Sequence, residues 1–241
     1  MKKNALEQEE AFRDYALQEN LWKVLLRTGT PLAFYQALNT LYKMLDSLMA
    51  SHINAEAVSA VAYLSQINIT VSAIGMGLSM GSSLKISEAY GAGDYGLVKQ
   101  RVSNLFAMVG ILDILLLSCI PFTGILLKAA RTPEELIAMG STYFNIELAG
   151  LAVAFFNNAY IAVERSRGNT KRIFRLNMIV IVLKLAFTAF FVYVLESGIT
   201  MIAIASVISQ AVLMVIGLKN ISQKGSSFRF SMGNEIGRAH V

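Results

Sequence analysis

The stretch ITMIAIASVISQAVLMVIGL, Ile199–Leu218, runs for twenty residues without a charge. A helix needs about 20 mostly apolar residues to cross the hydrocarbon core of a bilayer. In lipid, only a segment that closes its own backbone hydrogen bonds survives, so such a stretch is a helix. Five others have the same character: Pro31–Ala50, Ala57–Leu84, Val102–Leu127, Leu136–Val163 and Ile173–Leu195. The sequence therefore predicts an all-α integral membrane protein with six transmembrane helices. Composition agrees. Of 241 residues, 55% are hydrophobic and 15% charged, with a mean hydropathy of +0.53. A soluble domain carries about 25% charged residues, so disorder and an ordinary soluble globule are both excluded.

The lysines and arginines sort by connection. Seventeen fall in the N-terminal tail, the second and fourth connections and the C-terminal tail; two, Lys128 and Arg131, fall in the other three connections. Lys43 and Lys184 lie within spans. Cytoplasmic loops carry the excess of basic residues, so both ends of the chain are expected in the cytoplasm of a cell whose plasma membrane holds the six spans. The net charge of +5 is thus a topology signal and no nucleic-acid partner is expected. The first 29 residues are charged and amphipathic, with no small-residue cleavage site of the kind that ends a signal peptide.

Enzyme chemistry finds little support. The one cysteine, Cys119, lies in an apolar run, and His52 and His240 are the only histidines, which leaves no metal cluster, disulfide or cofactor to expect. Gly77-Leu78-Ser79-Met80-Gly81 matches a nucleophile elbow, but an elbow needs a strand-to-helix turn and a histidine base. Here it lies in a membrane helix, where Gly75, Gly77, Ser79, Gly81 and Ser82 make a small-residue face for close helix approach. Gly91-Ala92-Gly93-Asp94-Tyr95-Gly96 matches a dinucleotide fingerprint, but a membrane helix precedes it where a strand is required. It is expected to be a flexible cytoplasmic turn. Asn68-Ile69-Thr70 has the form of a glycosylation site, buried in the second span.

Polar groups within spans are costly and face the protein interior or a water-filled cavity. On the first span Gln36, Asn39, Lys43 and Asp46 fall within an arc of about 80°. On the fifth, Asn177, Lys184 and Thr188 share one face, and on the fourth Glu147 and Asn158 coincide. Asp113 lies in the third. For Asn39, Asn158 and Thr188 a buried contact between helices and a place in a cavity both fit. Lys43 is close enough to a span end to snorkel. For Asp46 and Lys184 a cavity role is favoured, because a mid-membrane charge needs a partner or water.

Several stretches together resemble the N-terminal half of the multidrug and toxic compound extrusion (MATE) transporters. They are the first span with Pro31 early and Asp46 late, and the glycine-rich end of the second span followed by Gly91-Ala92-Gly93-Asp94. Arg165-Ser166-Arg167-Gly168-Asn169-Thr170-Lys171 and Gly198-Ile199-Thr200 through Ser209-Gln210 follow in the family's order. The resemblance implies one six-helix lobe, residues 30–220, of a twelve-helix antiporter. Such an antiporter exports organic, often cationic, small molecules by alternating access in exchange for protons or sodium ions. Asp46 stands where the family has its first-helix carboxylate. Many members carry an asparagine and an aspartate four apart on the fifth helix; this chain has Val180 and Lys184 there. The expected coupling-ion and substrate cavity is therefore Asp46, Lys184, Asn39, Gln36, Asn177 and Thr188, with Lys184 paired to Asp46.

Residues 221–235, with Phe228-Arg229-Phe230-Ser231, resemble the start of the linker to a second lobe. Ile236-Gly237-Arg238-Ala239-His240-Val241 matches the translation of a sequencing-library adaptor, so the chain is expected to lack its C-terminal lobe. The rival readings are a flippase of lipid-linked oligosaccharide or polysaccharide from the same superfamily, favoured by Lys43 and Lys184, an intramembrane enzyme, and a complete six-helix channel or carrier.

Overall fold

The computed structural model describes residues 5–51, 55–196 and 198–221, and within them every regular element is helical. The elements are α1 (Ala5–Gln18), α2 (Leu21–Ser51), α3 (Ala55–Gly91), α4 (Tyr95–Ser118), α5 (Thr123–Ala129), α6 (Glu134–Ser166), α7 (Thr170–Ala189) and α8 (Ile199–Ile221). Among the described residues five helical stretches are long and apolar enough to cross a membrane: Ala62–Gly91, Tyr95–Ala129, Gly140–Ser166, Thr170–Val194 and Ile199–Ile221. The first stretch predicted from sequence, 31–50, lies within α2. The linker and adaptor expectations for 221–241 lie outside the described residues, apart from Ile221 at the end of α8.

α6 is the hub. It packs against α3, α4, α5, α7 and α8, while α2 packs mainly on α7. In its apolar stretch 44% of residues are buried, against 17% for those of α3 and α4, so α6 has neighbours on most sides and the others turn a broad face to lipid. Ile111, Ile114 and Leu115 on α4 and Val182 and Phe190 in the α7 stretch are such lipid-facing side chains. A core of Leu64 and Ile86 from α3, Val98, Val102 and Leu105 from α4, and Phe144, Phe155 and Val163 from α6 fills one side of the hub. Tyr160, Val180, Leu213 and Ile221 fill the other.

Helices in lipid gain little from hydrophobic exclusion and hold together by close packing and interhelical hydrogen bonds. α3 approaches α6 at Gly75, where an added Cβ would overlap the Phe155 ring. Buried Ser79 and Ser83 continue that line one and two turns on. This corrects the small-residue face read from sequence. Gly77 and Gly81 have open space at their Cα atoms and, with Ser82, line a groove of about 400 Å³ between α3 and α4. At 3.6 residues per turn, positions 75, 79 and 83 share a face that 77 and 81 do not.

Two predicted spans are modified by local chemistry. The third is not one helix. Pro121 has no N–H to continue the ladder, so α4 ends at Ser118 and a single 3-10 turn, Ile120–Phe122, leads into α5. The hydroxyls of Ser118 and Thr123 donate to the carbonyls of Leu115 and Ile120 at the break. The fifth ends in a π turn, Phe190–Val194.

The α3–α4 and α6–α7 connections have one design. Gly93, at φ +78°, donates to the Tyr90 carbonyl at 3.1 Å, and the Asp94 N–H donates to the Ala89 carbonyl at 3.0 Å. Gly168, at φ +75°, donates to the Arg165 carbonyl, and the Asn169 N–H donates to the Glu164 carbonyl, each at 2.9 Å. This is the Schellman closure, which uses glycine because the left-handed position penalises a Cβ. Asp94 then caps α4 by accepting the Leu97 N–H at 2.9 Å. The stretch 91–96, expected to be a flexible turn, is a hydrogen-bonded one, with the N–H groups of Ala92, Gly93, Asp94 and Tyr95 all donating to nearby carbonyls.

Candidate functional site: the buried polar face of α7

α7 buries Thr170, Ile173, Asn177, Val180, Lys184 and Thr188, steps of three and four that make one face of the helix. This face meets α2, α8 and α6, the helices α7 packs against. The sequence-predicted trio Asn177, Lys184 and Thr188 therefore lies together in the protein, with Lys184 only 9% exposed. Asn177 donates its amide to the Ile173 carbonyl at 2.8 Å, one turn back on its own helix. The Thr188 hydroxyl is fully buried and has no hydrogen-bond partner. A buried hydroxyl without a partner costs about 1–3 kcal/mol, so this end of the face carries an unsatisfied polar group.

α2 carries the other half of the predicted set. Asn39, Lys43 and Asp46 are part of the helix, and their side chains lie outside the described residues. Gln36 is exposed on α2. The start of α7 meets the first half of α2, where Thr30, Pro31 and Phe34 face Lys171, Phe174 and Arg175. At 1.5 Å per residue, position 46 stands about 22 Å along α2 from Pro31 and position 184 about 20 Å along α7 from Lys171. Half-buried Thr28 and Tyr35 mark a face of α2.

The remaining polar residues link helices. Asn68 of α3 donates to the Glu147 carboxylate of α6, which gives both residues a structural explanation. Asn157 of α6, rather than its half-buried neighbour Asn158, reaches Gln210 of α8. Asn220 donates to the Tyr160 hydroxyl at 2.8 Å, and Ser83 meets Ser166 at 3.2 Å. Asp113 is half-buried on α4, with its Oδ1 fully enclosed and without a hydrogen-bond partner.

Sequence reasoning passed over Glu164. It is completely buried at the end of α6, ion-paired to Arg167 at 2.9 Å and accepting the Asn169 amide at 2.9 Å. The signal available was its place at the end of a span, three residues before the basic loop residue Arg167. α1 also has tertiary contacts. Phe12 lies against Gly168 of the α6–α7 turn, and Arg13 donates to the Tyr95 hydroxyl at 3.3 Å beside the α3–α4 turn. The Arg27 guanidinium sits 4.4 Å from the centre of the Tyr15 ring, joining α1 to α2.

Among the described residues the chain is a bundle of membrane-length helices with a buried polar face, the organisation of a multi-pass membrane protein. The sequence profile of the MatE family matches residues 31–190, and the chain belongs to that family. It is 28% identical over 206 residues to the probable multidrug resistance protein YpnP of Bacillus subtilis, covering 83% of this chain and 46% of YpnP. It is 24% identical over 164 residues to the probable multidrug resistance protein NorM of Thermotoga maritima, covering 66% of this chain and 35% of NorM. Among solved structures, an outward-facing multidrug resistance MATE family transporter of the MOP superfamily shares the fold with a TM-score of 0.83 at 21% identity. That match covers 90% of this chain and 49% of the other. The chain spans about half the length of the relatives it matches.

Proposed function

We propose that the chain is the N-terminal lobe of a multidrug efflux antiporter of the plasma membrane. In this reading it exports organic, often cationic, compounds in exchange for protons or sodium ions, by alternating access of a cleft shared with a second, C-terminal lobe. The observation that carries the reading is the buried polar face of α7 packed on α2 in a chain of the MatE family. Two multidrug resistance proteins among its relatives support the same substrate class.

Asp46 and Lys184 are the proposed coupling pair. Opposite charges on helices that pack together stabilise each other where water is scarce. Protonation of Asp46, or arrival of a cationic substrate at it, competes for that pairing and frees α7 to shift against α2. Asn39, Gln36, Asn177 and Thr188 supply polar groups along the path. The distribution of lysine and arginine supports a cytoplasmic position for the α3–α4 and α6–α7 turns.

The test is dye retention in cells lacking their own efflux pumps, with the coding region expressed through its second lobe. Cells making the protein should retain less of a fluorescent cationic dye, and collapse of the ion gradient should restore accumulation. Equal retention with and without the protein contradicts the reading. One observation favours a second reading, a flippase of lipid-linked sugars. Buried Lys184 suits an anionic pyrophosphate headgroup, and headgroup translocation without dye export would select it.

A further inference from the structure

We infer that the α2–α7 groove beside the start of α7 is a binding site for an anionic phospholipid of the inner leaflet. The groove encloses about 590 Å³ and is lined by Thr30, Pro31 and Phe34 of α2 and by Lys171, Phe174 and Arg175 of α7. That volume is in the range of small-molecule sites. It lies about 20 Å along the helices from the Asp46 and Lys184 positions, so it is separate from the proposed coupling pair.

Its chemistry divides into two parts. Lys171 and Arg175 are exposed and stand one turn apart on α7, so both cations address the same spot. They sit in the first turns of a 20-residue helix, whose N-terminal dipole adds positive potential. None of the described lining residues is acidic. Below the cations the walls are Pro31, Phe174 and Phe34, an aromatic ring left 62% exposed.

A free phosphate would use the cations and leave the aromatic walls idle. A cationic drug would be repelled by the rim. A phospholipid uses both parts, its phosphate at Lys171 and Arg175 and its first acyl carbons along the rings. Charge complementarity commits the site to an anionic lipid, because the cytoplasmic leaflet is the negatively charged one. The leaflet assignment rests on the orientation given under the proposed function, whereas the preference for an anionic headgroup does not.

The test counts lipids retained by the full chain in native mass spectrometry. The protein is held in neutral detergent with equal phosphatidylglycerol and phosphatidylcholine, and no transport is measured. Each basic residue near an anionic headgroup is worth about fivefold in affinity, so one phosphatidylglycerol should be held with about a thirtyfold preference. K171Q/R175Q should abolish the preference, and K171R/R175K should keep it. Circular dichroism of each variant shows whether its helices are intact, and the wild-type preference stands as a test by itself if a variant fails to fold. Equal retention of the two lipids, or release of phosphatidylglycerol by inorganic phosphate alone, overturns the inference. Failure of dye export with the lipid preference intact would count against the transport reading only.

Discussion

Asn157 of α6 donates to both the backbone carbonyl and the side-chain Oε1 of Gln210 of α8, at 3.0 and 2.8 Å. One buried amide thus holds the hub helix to the last helix at two points. Interhelical hydrogen bonds in membranes contribute about 0.6 kcal/mol on average and up to about 1.7. Asn157→Ala should destabilise the bundle by about 1 kcal/mol, read as a lower midpoint in unfolding by denaturing detergent. Asn158→Ala, one residue away and half-buried, should move the midpoint less.

The Glu164–Arg167 pair predicts a larger effect with a distinct signature. Both side chains are nearly inaccessible, 0% and 8% exposed, and removing one partner of a buried pair costs about 3–5 kcal/mol. Glu164→Ala should leave little folded protein after extraction. Glu164→Leu combined with Arg167→Met should recover much of it, because the uncompensated charge is gone. A double variant as damaged as the single one would show that the pair does not act as a unit.

The two Schellman turns make a graded prediction. A side chain at the left-handed position costs about 1–2 kcal/mol, so Gly93→Ala should destabilise by that amount; its Cβ would meet only the end of the Arg13 side chain, at 3.2 Å. Gly168→Ala carries the same backbone cost and also drives a Cβ into the Phe12 ring. It should be the worse variant, and adding Phe12→Ala should relieve the excess. Thermal unfolding in detergent of the three variants separates the two contributions.

The sequence shows most of the fold because lipid makes the rules strict: an uncharged run such as Ile199–Leu218 has one solution. The break at Pro121 was also written in the chain, but run length concealed it, since apolar residues continue on both sides. The Asn177, Lys184 and Thr188 face was visible from helical spacing alone. Glu164 and Asn157 were not, because their stabilisation depends on Arg167, Asn169 and Gln210, and tertiary partners leave no trace in periodicity. The Gly77 and Gly81 face was misjudged for a related reason. Spacing groups small residues, but only the neighbouring helix decides which of them are approached.

Orientation has a direct chemical test. In a Cys119→Ser background, Glu134→Cys places a thiol at the exposed start of α6, and Lys171→Cys places one at the start of α7. A membrane-impermeant maleimide added to intact cells should label the first and spare the second. The reverse pattern would invert the topology and the leaflet assigned to the α2–α7 groove.

In the proposed mechanism Lys184 works with Asp46 to couple ion movement to export. The most direct measurement is pH-dependent dye efflux by the two-lobe protein carrying Lys184→Met, at matched expression and membrane insertion. Loss of the pH-dependent component, with Lys184→Arg retaining part of it, is the result the account predicts. Efflux with unchanged pH dependence in Lys184→Met would contradict it.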